Sequence, residues 1–351
     1  MNSGVTVSHR TASIDILKGL VIVSVICLHT VSRHTLSEIA ALFHIWQAVP
    51  VFIFLMARNA AMSLTRRGGR SLRELYSRDY LASRFDRVYV PFLLAFAATV
   101  VLTVALHRAH YGIRTIGGGL VVGTLPINGP GNYFITLVFQ FALVFPLVLW
   151  GLRARPVATL LACLAVDLGF EAIAPRLGVI RNHPFIYEVC LARYLLLVAL
   201  GAMLASVPVI RLLRSRLLWA GALLSTAYLV LAQVDIASIP IGESDWRGQA
   251  FASVFYTALL VALGIQLLPD RARGWLARGL AELGRASYHV FLVQIIWFGL
   301  IVWSSSSVAA LSGNLLITLS VGVAFYRLME RVPLPSAAAV LARRTQARLA
   351  A

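Results

Sequence analysis

Ten apolar runs, each close to the length that crosses a lipid bilayer, leave the chain little freedom to fold as anything but a bundle of membrane helices. They lie at about 14–32, 41–64, 87–106, 132–151, 156–174, 187–207, 216–234, 248–268, 286–304 and 308–328, and a bilayer's hydrocarbon core takes ~20 helical residues. Of the 351 residues, 59% are apolar and only 13% are charged. Lipid accepts that much apolar surface, whereas one soluble core does not. The sequence therefore reads as an all-α polytopic membrane protein of about ten transmembrane helices.

The gaps between the runs give the bundle a direction. With the N-terminus inside, cytoplasmic segments hold 22 lysines and arginines and external segments hold six, namely Arg33, Arg108, Arg114, Arg176, Arg181 and Arg247. Such an excess marks the cytoplasmic side and favours an even number of spans with both termini cytoplasmic. Residues 1–13 then form a cytoplasmic N-terminal segment, 14–330 one transmembrane domain and 331–351 a basic cytoplasmic tail. Segment 71–81 is too polar to span and is expected along the cytoplasmic surface, while 109–132, 175–186 and 235–247 are the longest external connections. The first run lacks a small-x-small cleavage site and carries a histidine, so it reads as a span, not a leader.

The net charge of +17 sits in these gaps, where basic side chains meet anionic lipid head groups. No soluble domain is left to present a basic patch to nucleic acid, so lipid is the expected partner and nucleic acid is not. Cys27, Cys163 and Cys190 all fall inside apolar runs without metal-type spacing, and read as packing residues with no metal site.

Function is sought among polar groups inside the helices, because a charge in lipid costs at least ~2.5 kcal/mol on insertion scales. The first run carries Asp15, Lys18 and His29. At ~100° and 1.5 Å per residue, Lys18 and His29 lie within about 20° of one face and ~16 Å apart along the axis. Taken singly, Lys18 anchors a helix end and His29 sits at an interface; on one stripe of one helix, the pair points to function. Arg58 lies inside the second run, where it lines a path or snorkels to the cytoplasmic edge. Asp167 and Glu171 are placed to bind an acceptor or to pair with Arg176, Arg181 or Arg193, and pairing is favoured. His44, His183 and His289 read as structural.

Asp15-Ile-Leu-Lys18-Gly19, with ten residues between Lys18 and His29, resembles the opening of the acyltransferase-3 family of bacterial membrane acyltransferases. That family's signature is a basic residue, ten residues and a histidine in the first helix. Val49-Pro50-Val51-Phe52-Ile53-Phe54 resembles its second-helix motif, although Met56-Ala57-Arg58-Asn59 stands where Ser-Gly is usual. Arg84-Phe-Asp-Arg87-Val-Tyr-Val-Pro91 is similar to the Arg-x-x-Arg and proline pattern opening the third helix. Asn132-Tyr133 through Gln140, then Phe145-Pro146, resembles the fourth-helix motif. Gly284-Arg285-Ala-Ser287-Tyr288 through Gln294 resembles a late motif that ends in histidine, with glutamine in its place.

The resemblance implies transfer of an acyl group, acetyl above all, from cytoplasmic acyl-CoA to a hydroxyl on an external or membrane-linked acceptor, a glycan or a small molecule, in a bacterial inner membrane. It implies His29 as general base, with Asp15 fixing Lys18. Arg84 and Arg87, with Arg58 and Lys18, are the expected cations for the donor's phosphates, and the donor's arm is expected along the Lys18–His29 stripe. Asn59, Tyr133, Gln140 and Tyr288 are candidate oxyanion donors. Gln294 is a candidate for the oxyanion or the acceptor, and has no base function. The competing readings are a secondary transporter coupling through Lys18, Asp167, Glu171 and Arg193, and a non-catalytic subunit of the same architecture. Nothing in the sequence sets the oligomeric state.

Overall fold

The computed structural model describes residues 12–106, 113–127, 129–236, 248–249, 251–301 and 307–331, with 113–116 as backbone alone. Most of 1–13, most of 235–247 and nearly all of the basic tail lie outside the described residues.

Each of the ten runs contains a helix: α1 (Ala12–Thr30), α2 (Ala48–Arg66), α3 (Val90–Ala105), α4 (Tyr133–Ala154), α5 (Pro156–Ile173), α6 (Leu195–Leu204), α7 (Arg216–Gln233), α8 (Val254–Leu267), α9 (Gly274–Leu300) and α10 (Val308–Arg331). Among the described residues there is no strand. Eight helical stretches are long and apolar enough to cross a membrane, with Pro184–Leu204 as the sixth-run stretch that includes α6. The other two are α8, apolar but short, and α9. The expected ninth run began at 286, but α9 starts twelve residues earlier, at Gly274. Its 27 residues span ~40 Å, beyond a ~30 Å hydrocarbon core, and its first half carries Arg278, Glu282 and Arg285. That half is polar, and there Arg327 of α10 pairs with Glu282 (2.7 Å).

α1 sits centrally, packed most extensively on α9 and also touching α2, α8 and α10. Glycine allows the close approach. A Cβ on Gly284 would lie 1.7 Å from the Asp15 carbonyl oxygen, and one on Gly19 would lie 2.1 Å from that of Leu280. Backbones approach this closely only where a small residue lies between them, and in lipid packing rather than the hydrophobic effect holds such helices together. Gly284→Ala is expected to push α9 from α1 and destabilise the protein by about 1–3 kcal/mol. Thermal unfolding in detergent measures this, and a variant melting like the parent would refute the tight crossing.

Two stretches depart from the expected pattern. The described part of segment 109–132, residues 113–127 and 129–132, folds back on the bundle. It forms a helix, Ile113–Val122, that returns along α3, with the Tyr89 hydroxyl donating to the Leu120 carbonyl (3.5 Å). A loop then packs on α9, where a Cβ on Gly129 would lie 2.0 Å from the Ile295 carbonyl oxygen. Leu125 and Ile127 are buried. Asn132 closes the loop, accepting from the Leu125 amide (2.8 Å) and donating to the carbonyls of Leu125 (3.0 Å) and Ile127 (3.1 Å). Irregular backbone at such depth is tolerated because protein, not lipid, surrounds it.

The sixth run is also not one helix. Pro184–Glu188 is helical, Leu191–Tyr194 is a 3₁₀ turn, and α6 begins at Leu195. The break carries its own hydrogen-bond partners. Gln140 donates to the Val189 carbonyl (2.6 Å) and accepts from the Leu191 amide (3.0 Å). The Asp167 carboxylate accepts from the Leu195 (3.0 Å) and Leu196 (3.2 Å) amides. These are the orphan donors of a helix start, and an acidic group is favoured there.

Candidate active site

One face of α2 supplies a wall. Phe52, Met56, Asn59, Ala60 and Ser63, then Arg67 at its cap, follow a spacing of three and four residues and cover ~22 Å of helix. Facing them is the segment leading into α3. Ser77 caps Arg78–Arg84 by accepting from the Tyr80 amide (3.4 Å), and a π-turn, Phe85–Tyr89, follows just before Pro91. Proline has no amide to donate and its ring crowds the carbonyl four residues back, which suits a widened turn. This segment contributes Tyr80, Ser83, Arg84, Arg87 and Val88. Lys18 of α1, Phe134 and Val138 of α4, and Gly284, Arg285, Ser287, Tyr288 and Phe291 of α9 complete a slot of about 290 Å³.

The slot is polar at one end and apolar at the other. Lys18, Arg67, Arg84, Arg87 and Arg285 supply five cations, and no aspartate or glutamate is among the lining residues. Phe52, Met56, Phe134, Val138 and Phe291 line the other end. The walls are held by tyrosines: Tyr80 donates to the Ala142 carbonyl (2.8 Å), and Tyr288 to the Val88 carbonyl (3.1 Å). The Arg84 guanidinium lies over the Tyr80 ring, 5.2 Å from its centre, which fixes its direction with little loss of charge.

Of the residues singled out in the sequence, Lys18, Arg84, Arg87, Asn59 and Tyr288 meet in this slot. Among the described residues the Asn59 amide has no recorded hydrogen bond, so it is open to a ligand, whereas Tyr288 spends its proton on backbone. Arg67, Arg285, Ser63 and Ser83 belong to the slot too. The sequence offered Arg67 only among the basic cytoplasmic residues and Arg285 there and within the late motif, neither as a partner for phosphate.

The remaining candidates lie elsewhere. Asp15 is buried one turn below Lys18. Arg58, on the neighbouring face of α2, does not line the slot. Its Nε and Nη1 have no hydrogen-bond partner among the described residues. Gln140 holds the break before α6 through both ends of its amide. Gln294 donates to the Pro130 carbonyl (3.0 Å) and so ties α9 to the re-entrant loop. Tyr133 is buried in the neighbourhood of Tyr194 and Arg193.

His29 stands apart from the slot. It is partly exposed, with its ring edge-on to Phe298 at 6.1 Å. The stripe below it is closed, since Ile22 and Val25, on the same face between Lys18 and His29, are 0% and 2% exposed. The open passage therefore follows α2, not α1. The end of α1 is fixed by a chain that the sequence did not reveal: Trp297 donates to Asn314 (2.9 Å), and Asn314 donates to the Thr30 hydroxyl (3.3 Å). Spacing cannot expose a bond between residues nearly three hundred positions apart.

Asp167 and Glu171 form a separate buried cluster. Glu171 accepts from the Tyr187 hydroxyl (2.9 and 3.0 Å) and pairs with Arg193 (3.6 Å), whose guanidinium also covers the Tyr187 ring at 4.1 Å. Arg193 is the partner chosen from the three arginines considered.

A bundle of apolar helices, eight of them long enough to cross a bilayer, with a slot lined by five cations, defines a multi-pass membrane protein. A family model for an acyltransferase domain, of the acyltransferase-3 type, matches residues 11–327, and the chain belongs to that family. No curated protein and no solved structure matches it.

Proposed function

We infer that the protein is an O-acyltransferase of a bacterial inner membrane, moving an acyl group, acetyl above all, from cytoplasmic acyl-CoA to a hydroxyl of a glycan or other external or membrane-linked acceptor. It has ten spans with both termini cytoplasmic: α8 and the apolar half of α9 join the eight longer stretches, and the arginine-rich slot mouth then faces the cytoplasm, where acyl-CoA is found. The single observation that carries this reading is the slot itself, with five cations at one end and an apolar, aromatic lining at the other. Acyl-CoA has the same polarity, a polyanionic nucleotide followed by a slender arm ending in the thioester. Guanidinium groups bind phosphate oxygens two at a time, and the four arginines Arg67, Arg84, Arg87 and Arg285, with no carboxylate lining the slot beside them, leave positive charge to be met by a ligand.

The donor's phosphates lie among Arg67, Arg84, Arg87, Arg285 and Lys18, and its arm follows the α2 wall inward. Neutral His29 takes the proton of the acceptor hydroxyl as that oxygen attacks the thioester carbonyl, then returns it to the departing sulfur. Asn59 donates to donor or oxyanion from the α2 wall. Asp15 orients Lys18 from one turn below. The donor approaches from the slot, and the acceptor from the partly exposed side of His29.

The test is CoA binding to the purified protein in detergent. Arg84→Gln removes a charge-assisted contact of ~1.5–3 kcal/mol and is expected to weaken CoA by about tenfold or more. The parent's affinity is expected to fall as salt rises. Undiminished binding by Arg84→Gln, or no binding by the parent, would overturn the donor assignment.

A further inference from the structure

The inner end of the slot is closed by three rings. Phe134 meets Phe291 edge-on at 4.9 Å between centres, and Phe52 lies 6.3 Å from Phe134. Phe134 and Phe291 are 7% and 4% exposed. His29 is on the far side. Its neighbour Phe298 is seven residues beyond Phe291 on α9, two turns or ~10 Å along the axis.

The rings are backed by the re-entrant loop. A Cβ on Gly131, whose φ is +87°, would sit 3.1 Å from the Phe291 Cζ. The loop has no slack there: Gln294 holds the Pro130 carbonyl, and Asn132 holds both the amide and the carbonyl of Leu125. Phe291 therefore cannot retreat outward, and an arm in the slot reaches His29 only by turning the rings aside.

Resting on the acyl-CoA reading of the slot, we propose that Phe52, Phe134 and Phe291 decide which nucleophile receives the acyl group, by partitioning the donor thioester from water at the His29 side. The competing reaction is hydrolysis. A water oxygen bonds to the thioester carbonyl carbon as His29 takes its proton, the carbon–sulfur bond breaks, and the sulfur receives that proton, leaving a free carboxylic acid and CoA thiol. An acceptor hydroxyl undergoes the same exchange and yields an ester instead. Excluding water from a reactive intermediate is a general task of closed sites, and here it falls to three side chains that neither hold the phosphates nor move a proton.

The experiment incubates purified protein with acetyl-CoA and no acceptor, and follows free thiol. Phe291→Ala is expected to raise thiol release by about tenfold while the protein still binds CoA, and His29→Ala in the same chain is expected to abolish the rise. Phe291→Leu keeps most of the bulk and the fold but not the aromatic edge, and is expected to leak less than Phe291→Ala but more than the parent. The proposal is overturned if both Phe291 variants bind CoA yet release thiol at the parental rate. It is overturned equally if the leak persists without His29. Failure of the parent to bind CoA would instead remove the donor reading beneath it, so the two failures are distinguishable.

Discussion

Replacing His29 by alanine is expected to lower acyl transfer by about 10²–10⁴-fold, the range for losing a general base, while CoA binding persists. The separation of effects follows from the geometry. His29 lines no part of the slot, and its ring touches Phe298 rather than the cationic mouth. Alanine is a better helix former than histidine, and the Trp297–Asn314–Thr30 chain that fixes the end of α1 is untouched. Comparing turnover with CoA binding also separates the competing classes. A transporter loses flux with no dependence on CoA, and a non-catalytic subunit loses neither activity nor binding. Full acyl transfer by His29→Ala refutes the mechanism.

The largest effect on stability is expected at Arg193. It is 1% exposed, and Glu171 is 7% exposed. Arg193→Met removes one member of a buried ion pair and leaves the Glu171 carboxylate facing Tyr187 in a medium that solvates charge poorly. Breaking such a pair from one side costs about 3–5 kcal/mol. Glu171→Gln is expected to cost less, because an amide at that position still meets the Tyr187 hydroxyl. The double variant is expected to be more stable than the sum of the two, since the pair is lost only once. Thermal unfolding of the detergent-solubilised protein measures all three, and additive losses would show that the two side chains act independently. The effect reaches the slot through packing. α6 starts just beyond Arg193 and presses Gly201 onto α2, where a Cβ would lie 2.5 Å from the Phe54 carbonyl oxygen. Displacing α6 therefore moves the slot's main wall, and Arg193→Met is expected to weaken CoA binding without touching the ligand.

The break before α6 also bears on the transporter reading. Asp167 is spent on the Leu195 and Leu196 amides, and Glu171 on Tyr187 and Arg193. Two carboxylates that the transporter reading needs for coupling are already engaged, Asp167 at a helix start and Glu171 in the pairing that the sequence favoured. No sequence pattern distinguishes these uses, because the amides that Asp167 binds lie 28 and 29 residues away and the Tyr187 hydroxyl that Glu171 accepts from lies 16 away.

What the sequence by itself determined is the class of fold and the kinds of residue at the site. Apolar runs of bilayer length have one stable solution in lipid, the helix that satisfies its own backbone, so each of the ten runs contains a helix, although the sixth is broken before Leu195 and the ninth helix starts twelve residues early. The basic gaps foretold where cations gather, and Lys18, Arg84 and Arg87 do meet. Tertiary structure alone decided the rest. It folded residues 113–127 and 129–132 back onto the bundle, because Asn132 and two close-packed glycines give that loop partners that lipid cannot. It also moved the open passage from the Lys18–His29 stripe to the α2 wall. Periodicity says which residues share a face, but not whether a neighbouring helix seals it, and here packing against α1 buries Ile22 and Val25. Lys18 and His29 lie on one stripe as their spacing requires, but the open slot adjoins only Lys18, and three phenylalanines from three other helices, α2, α4 and α9, line its apolar end.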